Sequence, residues 1–319
     1  MSLPLLHRIV SRSRMMLAAA LLLPGAGSPS DAPASAAQAG EGWIDESREQ
    51  LSQGADSIAL WVDDFFGHPR EVEDQARSRI LIRPQVEWDE QDGWDWKLRA
   101  TGRLDLPKTS DRLSVVFSGG DGNFDDDLYD PSIASGGDSA AGVQYQIRRQ
   151  KRSTAYLFAG VKSGPKLKLG ARYRFLGDLN EHLYYRFSEE VFWVGGDGFT
   201  SRTRLDFNRP LSQNTLLRWA NRVDHGEETN GAEWRTRLAW IRRLDKRNAL
   251  RVFGFVRGDS DPEILKSRGI GVGYRRRFLR DWLFLEIEPR YAWRKRKQEQ
   301  DREGVAMVKL RFEVVIGER

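Results

Sequence analysis

Residues 94–106 read W-D-W-K-L-R-A-T-G-R-L-D-L, with every even position apolar or small and every odd position polar. Thirteen residues of unbroken alternation describe one strand with a greasy face and a charged face. The pattern returns through to the C-terminus, each time between turn signals. Strands of a soluble sandwich tend to be shorter, about 5–6 residues. Strands of about 9–11 residues or more, each with one apolar face, are what a barrel needs to cross a bilayer. The expected fold is therefore all-β, an antiparallel transmembrane β-barrel.

Composition narrows this further. The 319 residues leave room for one barrel and a short extra element. A mean hydropathy of −0.59 excludes a bundle of membrane helices, but not a barrel in which only alternate residues meet lipid. No run reaches the roughly 18–20 apolar residues of a transmembrane helix. Cysteine is absent, which excludes disulfides, thiolate metal sites, a cysteine nucleophile and a lipidated N-terminal cysteine. The 11 tryptophans suit a membrane–water boundary.

Residues 1–39 have the layout of a signal peptide. His7, Arg8, Arg12 and Arg14 form a positive start, residues 15–23 an apolar stretch, and Ala34-Ser35-Ala36 and Ala37-Gln38-Ala39 both suit cleavage. Loss of this segment lowers the net charge from +5 to +3, so bulk charge does not argue for a polyanion or nucleic-acid partner.

Residues 40–77 break the β pattern. Ile44, Leu51, Ala55, Ile58, Val62 and Phe65 recur at helical spacings, and Gly67 and Pro69 stop the helix. This amphipathic helix is expected in the periplasm, at the barrel's lower mouth or inside the lumen, with packing on the rim preferred to a gate.

The barrel is expected over residues 78–319. Candidate strands cover 80–88, 94–106, 112–118, 142–149, 154–162, 166–176, 182–194, 199–208, 215–223, 232–244, 250–257, 269–278, 282–293 and 305–316. The central estimate is about 14 strands, and 12 also fits. The fourth, seventh, ninth and eleventh candidates do not declare their faces. Long connections are expected at 119–141, 224–231, 258–268 and 294–304, alternating with short turns as in outer-membrane barrels. Trp88, Trp94, Trp193, Trp234 and Trp293 all fall at strand ends beside the odd-numbered connections, as an aromatic girdle would. Pro84, which cannot donate to a ladder, is expected near a strand end or bulge.

In the first, second, sixth, eighth, twelfth and fourteenth candidates the inward basic residues are Arg83, Lys97, Arg99, Arg103, Lys166, Lys168, Arg172, Arg174, Arg202, Arg204, Arg275, Arg277, Lys309 and Arg311. The inward acids there are Glu87, Asp95, Asp105, Asp206 and Glu313. That bias predicts a lumen of positive potential, favouring small anions as solutes. Pairing of these cations with carboxylates in a filled interior is the competing expectation.

Catalytic signals are weak. His225 lies in D-H-G-E-E-T-N-G, a faint likeness to outer-membrane phospholipase A, but no serine stands beside it in sequence and it is expected in a loop. The aspartates at 121, 125, 126, 127 and 130 lack the glycine and the glutamate of an EF-hand, so a solvated loop is expected, with no metal and no cofactor. The glycines at 269, 271 and 273 fall within a candidate strand and mark close packing or a bend.

The stretches D-D-F-F-G at 63–67, R-L-D-L-P at 103–107 and D-W-L-F-L-E-I-E-P at 281–289 belong to a region, 80–316, that resembles Gram-negative, porin-like outer-membrane β-barrel proteins. The resemblance implies a fold, an outer-membrane location and contact with outer-membrane lipid and the barrel-assembly machinery, and no activity. Such barrels usually end in an aromatic residue read by that machinery, whereas here Phe312 is followed by Val-Val-Ile-Gly-Glu-Arg. The expected function is a small passive, anion-favouring pore. A closed structural or envelope-maintenance barrel is the alternative, and a lipid hydrolase a distant third.

Overall fold

Alternating strands hydrogen-bond only to their neighbours and so need closure when no water can satisfy an edge. This chain closes. A computed structural model describes residues 78–317 apart from 107–111, 121–138, 296–300 and a few single positions, together with Ile58, Trp61, Val62, Phe65 and Phe66. The signal segment, most of the helical segment and the aspartate loop lie outside the described residues.

The strands are β1 (Arg79–Asp89), β2 (Gly93–Asp105), β3 (Leu113–Gly120), β4 (Ala140–Gln150), β5 (Ser153–Lys162), β6 (Lys166–Asn180) and β7 (Leu183–Val194). They continue as β8 (Gly198–Ser212), β9 (Thr215–Gly226), β10 (Ala232–Arg243), β11 (Asn248–Ser260), β12 (Glu263–Arg277), β13 (Leu283–Arg294) and β14 (Glu303–Gly317). Each pairs antiparallel with the next, and β1 pairs with β14 to close the barrel. Among the described residues the count is fourteen, not twelve.

Several strands outrun their expected ends. The connection expected over 258–268 shrinks to 261–262, because β11 and β12 run on past a register shift between Arg257 and Asp259. Asp224 and His225 belong to β9 and not to a loop. Pro84 is neither terminal nor at a bulge. It faces outward in mid-β1, where pairing to β14 lapses at Arg83 and Pro84 and resumes at Gln85 in the same register. Pro289 interrupts the β12–β13 ladder in the same way, since each proline removes one donor and shifts nothing.

The outer wall is apolar. Leu98, Leu157, Leu167, Leu169, Leu238 and Ile270 are all exposed, which in water would be an aggregation surface and in a bilayer is a lipid belt. On the outer face nearer the short turns, Phe175, Tyr185, Phe207 and Trp219 contact one another in sequence, with centroids 6.0, 6.4 and 5.4 Å apart. Trp88 and Trp94 pair across strands at the other edge. These are two aromatic levels bounding one belt. This exterior is an outer-membrane architecture.

The belt supports a direct test. Leu169→Arg is expected to destabilise the folded barrel by about 2–4 kcal/mol, the cost of arginine near the bilayer midplane. Lys97→Ala, inward and half-buried beside Asp95, should lose no more than about 1 kcal/mol. Refolding into lipid vesicles, followed by heat-modified mobility, separates the two. Equal losses would mean that the faces are assigned the wrong way round.

Candidate functional site: the barrel lumen

Register decides which side chains meet inside. Of the sequence-predicted lumenal cations, Arg83, Arg99, Lys168, Arg172, Arg202, Arg275, Lys309 and Arg311 are buried within the barrel. Most face carboxylates. Arg172 Nη2 lies 2.5 Å and Lys168 Nζ 3.8 Å from Glu190. Arg202 donates to Asp224 at 2.8 Å, and Lys309 Nζ forms an ion pair with Glu288 at 2.7 Å. Lys97 pairs with Asp95 and Arg103 with Asp105, each at 2.9 Å. Arg277 reaches Asp281 at 3.7 Å, Arg311 donates to the Gln85 side chain at 3.0 Å, and Arg174 stands over the Tyr156 ring. Arg204 faces inward between Ser188 and Arg222 on the flanking strands.

Four of these partner acids were missed by sequence reasoning. Glu190 sits on a strand whose alternation was ambiguous, Asp224 was expected in a connection, and Glu286 and Glu288 sit on a strand left out of the tally. Their inward placement corrects the expected charge excess, because much of the basic lining is neutralised within the wall. The same ambiguity hid Arg218 and Arg222 and left Arg251 and Arg257 without a face, while Arg235 and Arg237 lie on a strand that the tally omitted. The structure turns Arg251, Phe253, Phe255 and Arg257 inward. The reason lies on the next strand. A Cβ added at Gly271 would come within 2.4 Å of the Phe253 ring, and one at Gly269 within 2.8 Å of Phe255. The glycines of β12 are therefore the floor on which these rings lie, as close packing requires.

At the short-turn end, helical residues fill part of the mouth. Ile58, Val62 and Phe65 are fully buried, in one apolar cluster with Leu216, Ile241, Ala249, Phe253, Phe284 and Val315, all inward residues of β9–β14. Phe66 N–H donates to the Val62 carbonyl at 2.9 Å, a helical bond. Phe65 stacks on Trp61 at 4.5 Å and meets Phe284 edge-on at 5.5 Å. Arg275 ties this turn to the wall. Its Nε donates to the Phe65 carbonyl at 2.8 Å, while its Nη atoms reach Glu286 at 3.1 Å and Glu313 at 2.6 Å. Arg83 also donates to Glu313, at 2.7 Å, and Arg251 bridges Glu286 at 2.7 Å and Glu288. These described residues lie inside the mouth, deeper than the rim where the sequence favoured the helix.

Toward the other end a cavity of about 310 Å³ opens between β1–β2 and β10–β14. Lys97, Arg235, Arg237, Arg257, Arg290, Arg294 and Arg311 line it, against Glu87, Asp89, Asp92 and Asp95. Arg290 pairs with Glu87, and Arg294 with Asp89. In the turn at 195–197, hydrogen bonds from Lys166 and Lys162 hold the Asp197 carboxyl well below the usual range, at about 2.

The outer wall also carries polar positions among its apolar ones. Glu189 accepts from Ser201 Oγ and Thr203 Oγ1, both at 2.6 Å. Ser201 lies directly across from His225, a serine that no local sequence motif reveals. Its hydroxyl donates to Glu189, and His225 Nδ1 contacts the Gly231 carbonyl at 3.0 Å, so the geometry is not that of a nucleophile held by its base. Among the described residues no group of acids and histidines is arranged to hold a metal ion.

No protein-family model and no curated protein matches the chain. Solved structures with similar overall shape include OccK11 (OpdR) of Pseudomonas aeruginosa, 10% identical, covering 76% of this chain and 96% of that one with a TM-score of 0.44. OmpT of Vibrio cholerae is 10% identical over 75% and 96%, with a TM-score of 0.42. An anion-selective porin from Comamonas acidovorans is 11% identical over 75% and 98%, with a TM-score of 0.43.

Proposed function

We propose that this barrel is an outer-membrane channel for small anions, narrowed at its periplasmic mouth by the helical segment. The observation that supports this reading is the lining of the 310 Å³ cavity, where seven basic side chains face four acids. In a confined, low-dielectric passage such an excess concentrates anions and repels cations. Orientation follows from the connections, with the long ones at 121–139 and 295–302 placed outside and the short turns in the periplasm.

The test is the reversal potential across a planar bilayer under a salt gradient. The full chain is expected to prefer chloride over potassium, and Arg235→Glu with Arg257→Glu should move the preference toward cations. A cation-preferring wild type would overturn the reading. A second reading, a closed structural barrel, draws on a different observation. The buried apolar plug and the Arg275–Glu313–Arg83 network leave the lower mouth filled along β9–β14 and β1. It predicts a folded barrel without steady conductance.

A further inference from the structure

One inter-strand row of the lumen has a single sign. Arg204 on β8 lies directly across from Arg222 on β9, Arg222 from Arg235 on β10, and Arg235 from Arg257 on β11. Serines extend the row in both directions, through Ser188 to Arg174 on β6 and through Ser267 to Arg294 on β13. No acid occupies any position of this row between β6 and β13. The adjacent row, two residues away along each strand, is built differently. It reads Arg172, Glu190, Arg202, Asp224, alternating in sign, and its members pair at 2.5 and 2.8 Å.

Like charges directly opposite on neighbouring strands destabilise a sheet. The wall next door shows that this barrel can alternate charge where only stability is at stake. Asp224 of that second row reaches Arg222 at 2.5 Å and Arg235 at 4.0 Å from beside the row. Neighbouring strands are about 4.8 Å apart, so the four arginines span about 14 Å. Strands of such barrels tilt by about 35–45°, so a row perpendicular to them climbs the wall as a ramp. Its upper part, Arg235, Arg257, Ser267 and Arg294, borders the cavity.

We propose that this arginine row is a binding track for a linear solute carrying several carboxylate or phosphate groups spaced at about 5 Å. The planar guanidinium fork matches either group, and a solute with two or more anionic groups can bridge neighbouring arginines of the row. The proposal rests on the anion-favouring reading of the lumen and sharpens it, from anions in general to oligoanions held by a fixed row.

Isothermal titration of the refolded full chain in detergent tests the track without requiring conduction. Tripolyphosphate and a linear tetraglutamate peptide serve as the phosphate and carboxylate probes, with acetate as the single-charge control. At least one oligoanion should bind saturably and acetate should not. Arg204→Gln and Arg257→Gln should each weaken that binding about tenfold, the loss of one charge-assisted contact. Arg237→Gln, which also borders the cavity but lies off the row, should change it less than about twofold. Arg257→Lys keeps the charge and should retain most of the affinity, and heat-modified mobility confirms that each variant is folded. Absence of saturable binding to the folded wild type would overturn the track, as would equal weakening by Arg237→Gln. Saturable binding that follows the row in a barrel without anion preference in bilayers would instead overturn the pore reading and leave the track standing.

Discussion

Replacing Glu288 by alanine is expected to destabilise the folded barrel by about 3–5 kcal/mol, because it strands buried cations. Glu288 is fully buried, lies 2.7 Å from Lys309 Nζ as an ion pair and accepts from Arg251; those two side chains are 2% and 8% exposed. Removing the carboxylate leaves both positive charges with one fewer partner in a place that water does not reach. An exposed pair gives the contrast. Asp178 meets Arg152 at 2.6 Å with both side chains more than half exposed, so Asp178→Ala should lose no more than about 1 kcal/mol. Urea titration in detergent, read by the fraction of heat-modifiable protein, measures both. A Glu288→Ala barrel as stable as the wild type would show that the ion network does not hold the lower lumen together.

Loosening the helical turn should change conductance more than any substitution in the wall. Phe65 is fully buried between Trp61, Phe66, Phe284 and the Arg275 guanidinium, and its carbonyl accepts from Arg275. Truncating a buried phenylalanine to alanine costs about 3–5 kcal/mol in a packed core. Phe65→Asp adds a desolvated charge to that loss, so the double variant Ile58→Asp with Phe65→Asp should release the turn from the mouth. The strands it leaves do not depend on it for their ladder, so the barrel should still fold. In planar bilayers the expected result is a steady current several-fold larger than that of the wild type. A folded double variant without steady current would remove the pore and put the closed structural barrel in front.

Much of this molecule was legible in the sequence because a strand's side-chain period is local. Alternation at 94–106 divides β2 into an apolar and a charged face, and the same rule divides β6, β8 and β14, all of which are strands of the closed barrel. It failed where both faces look alike. On β11 the apolar rings of Phe253 and Phe255 turn into the lumen and Val252 and Gly254 turn out, an outcome decided by Gly271 and Gly269 on the neighbouring strand β12. Pro84 was expected at an irregularity because a missing donor is visible in sequence. Whether the ladder can skip one pair and resume in register is visible only with β14 in place.

The charge pattern divides in the same way. That the lumen is rich in arginine follows from residue type and parity alone. Which arginine meets a carboxylate and which meets another arginine depends on the shear of the closed barrel. Arg202 finds Asp224 and Arg204 finds Arg222, although both arginines lie on the same face of β8 only two residues apart. The burial of Ile58, Val62 and Phe65 in the mouth is a further tertiary outcome. Their helical stripe required an apolar partner, and only closure created an apolar surface on the inner wall of β9–β14 to receive it. The sequence by itself determined the period, the two faces and the need to close, since these follow from neighbours along the chain. Register between strands, and with it every contact across the lumen, came from the closed barrel, because hydrogen-bonded pairing joins residues that sequence distance does not relate.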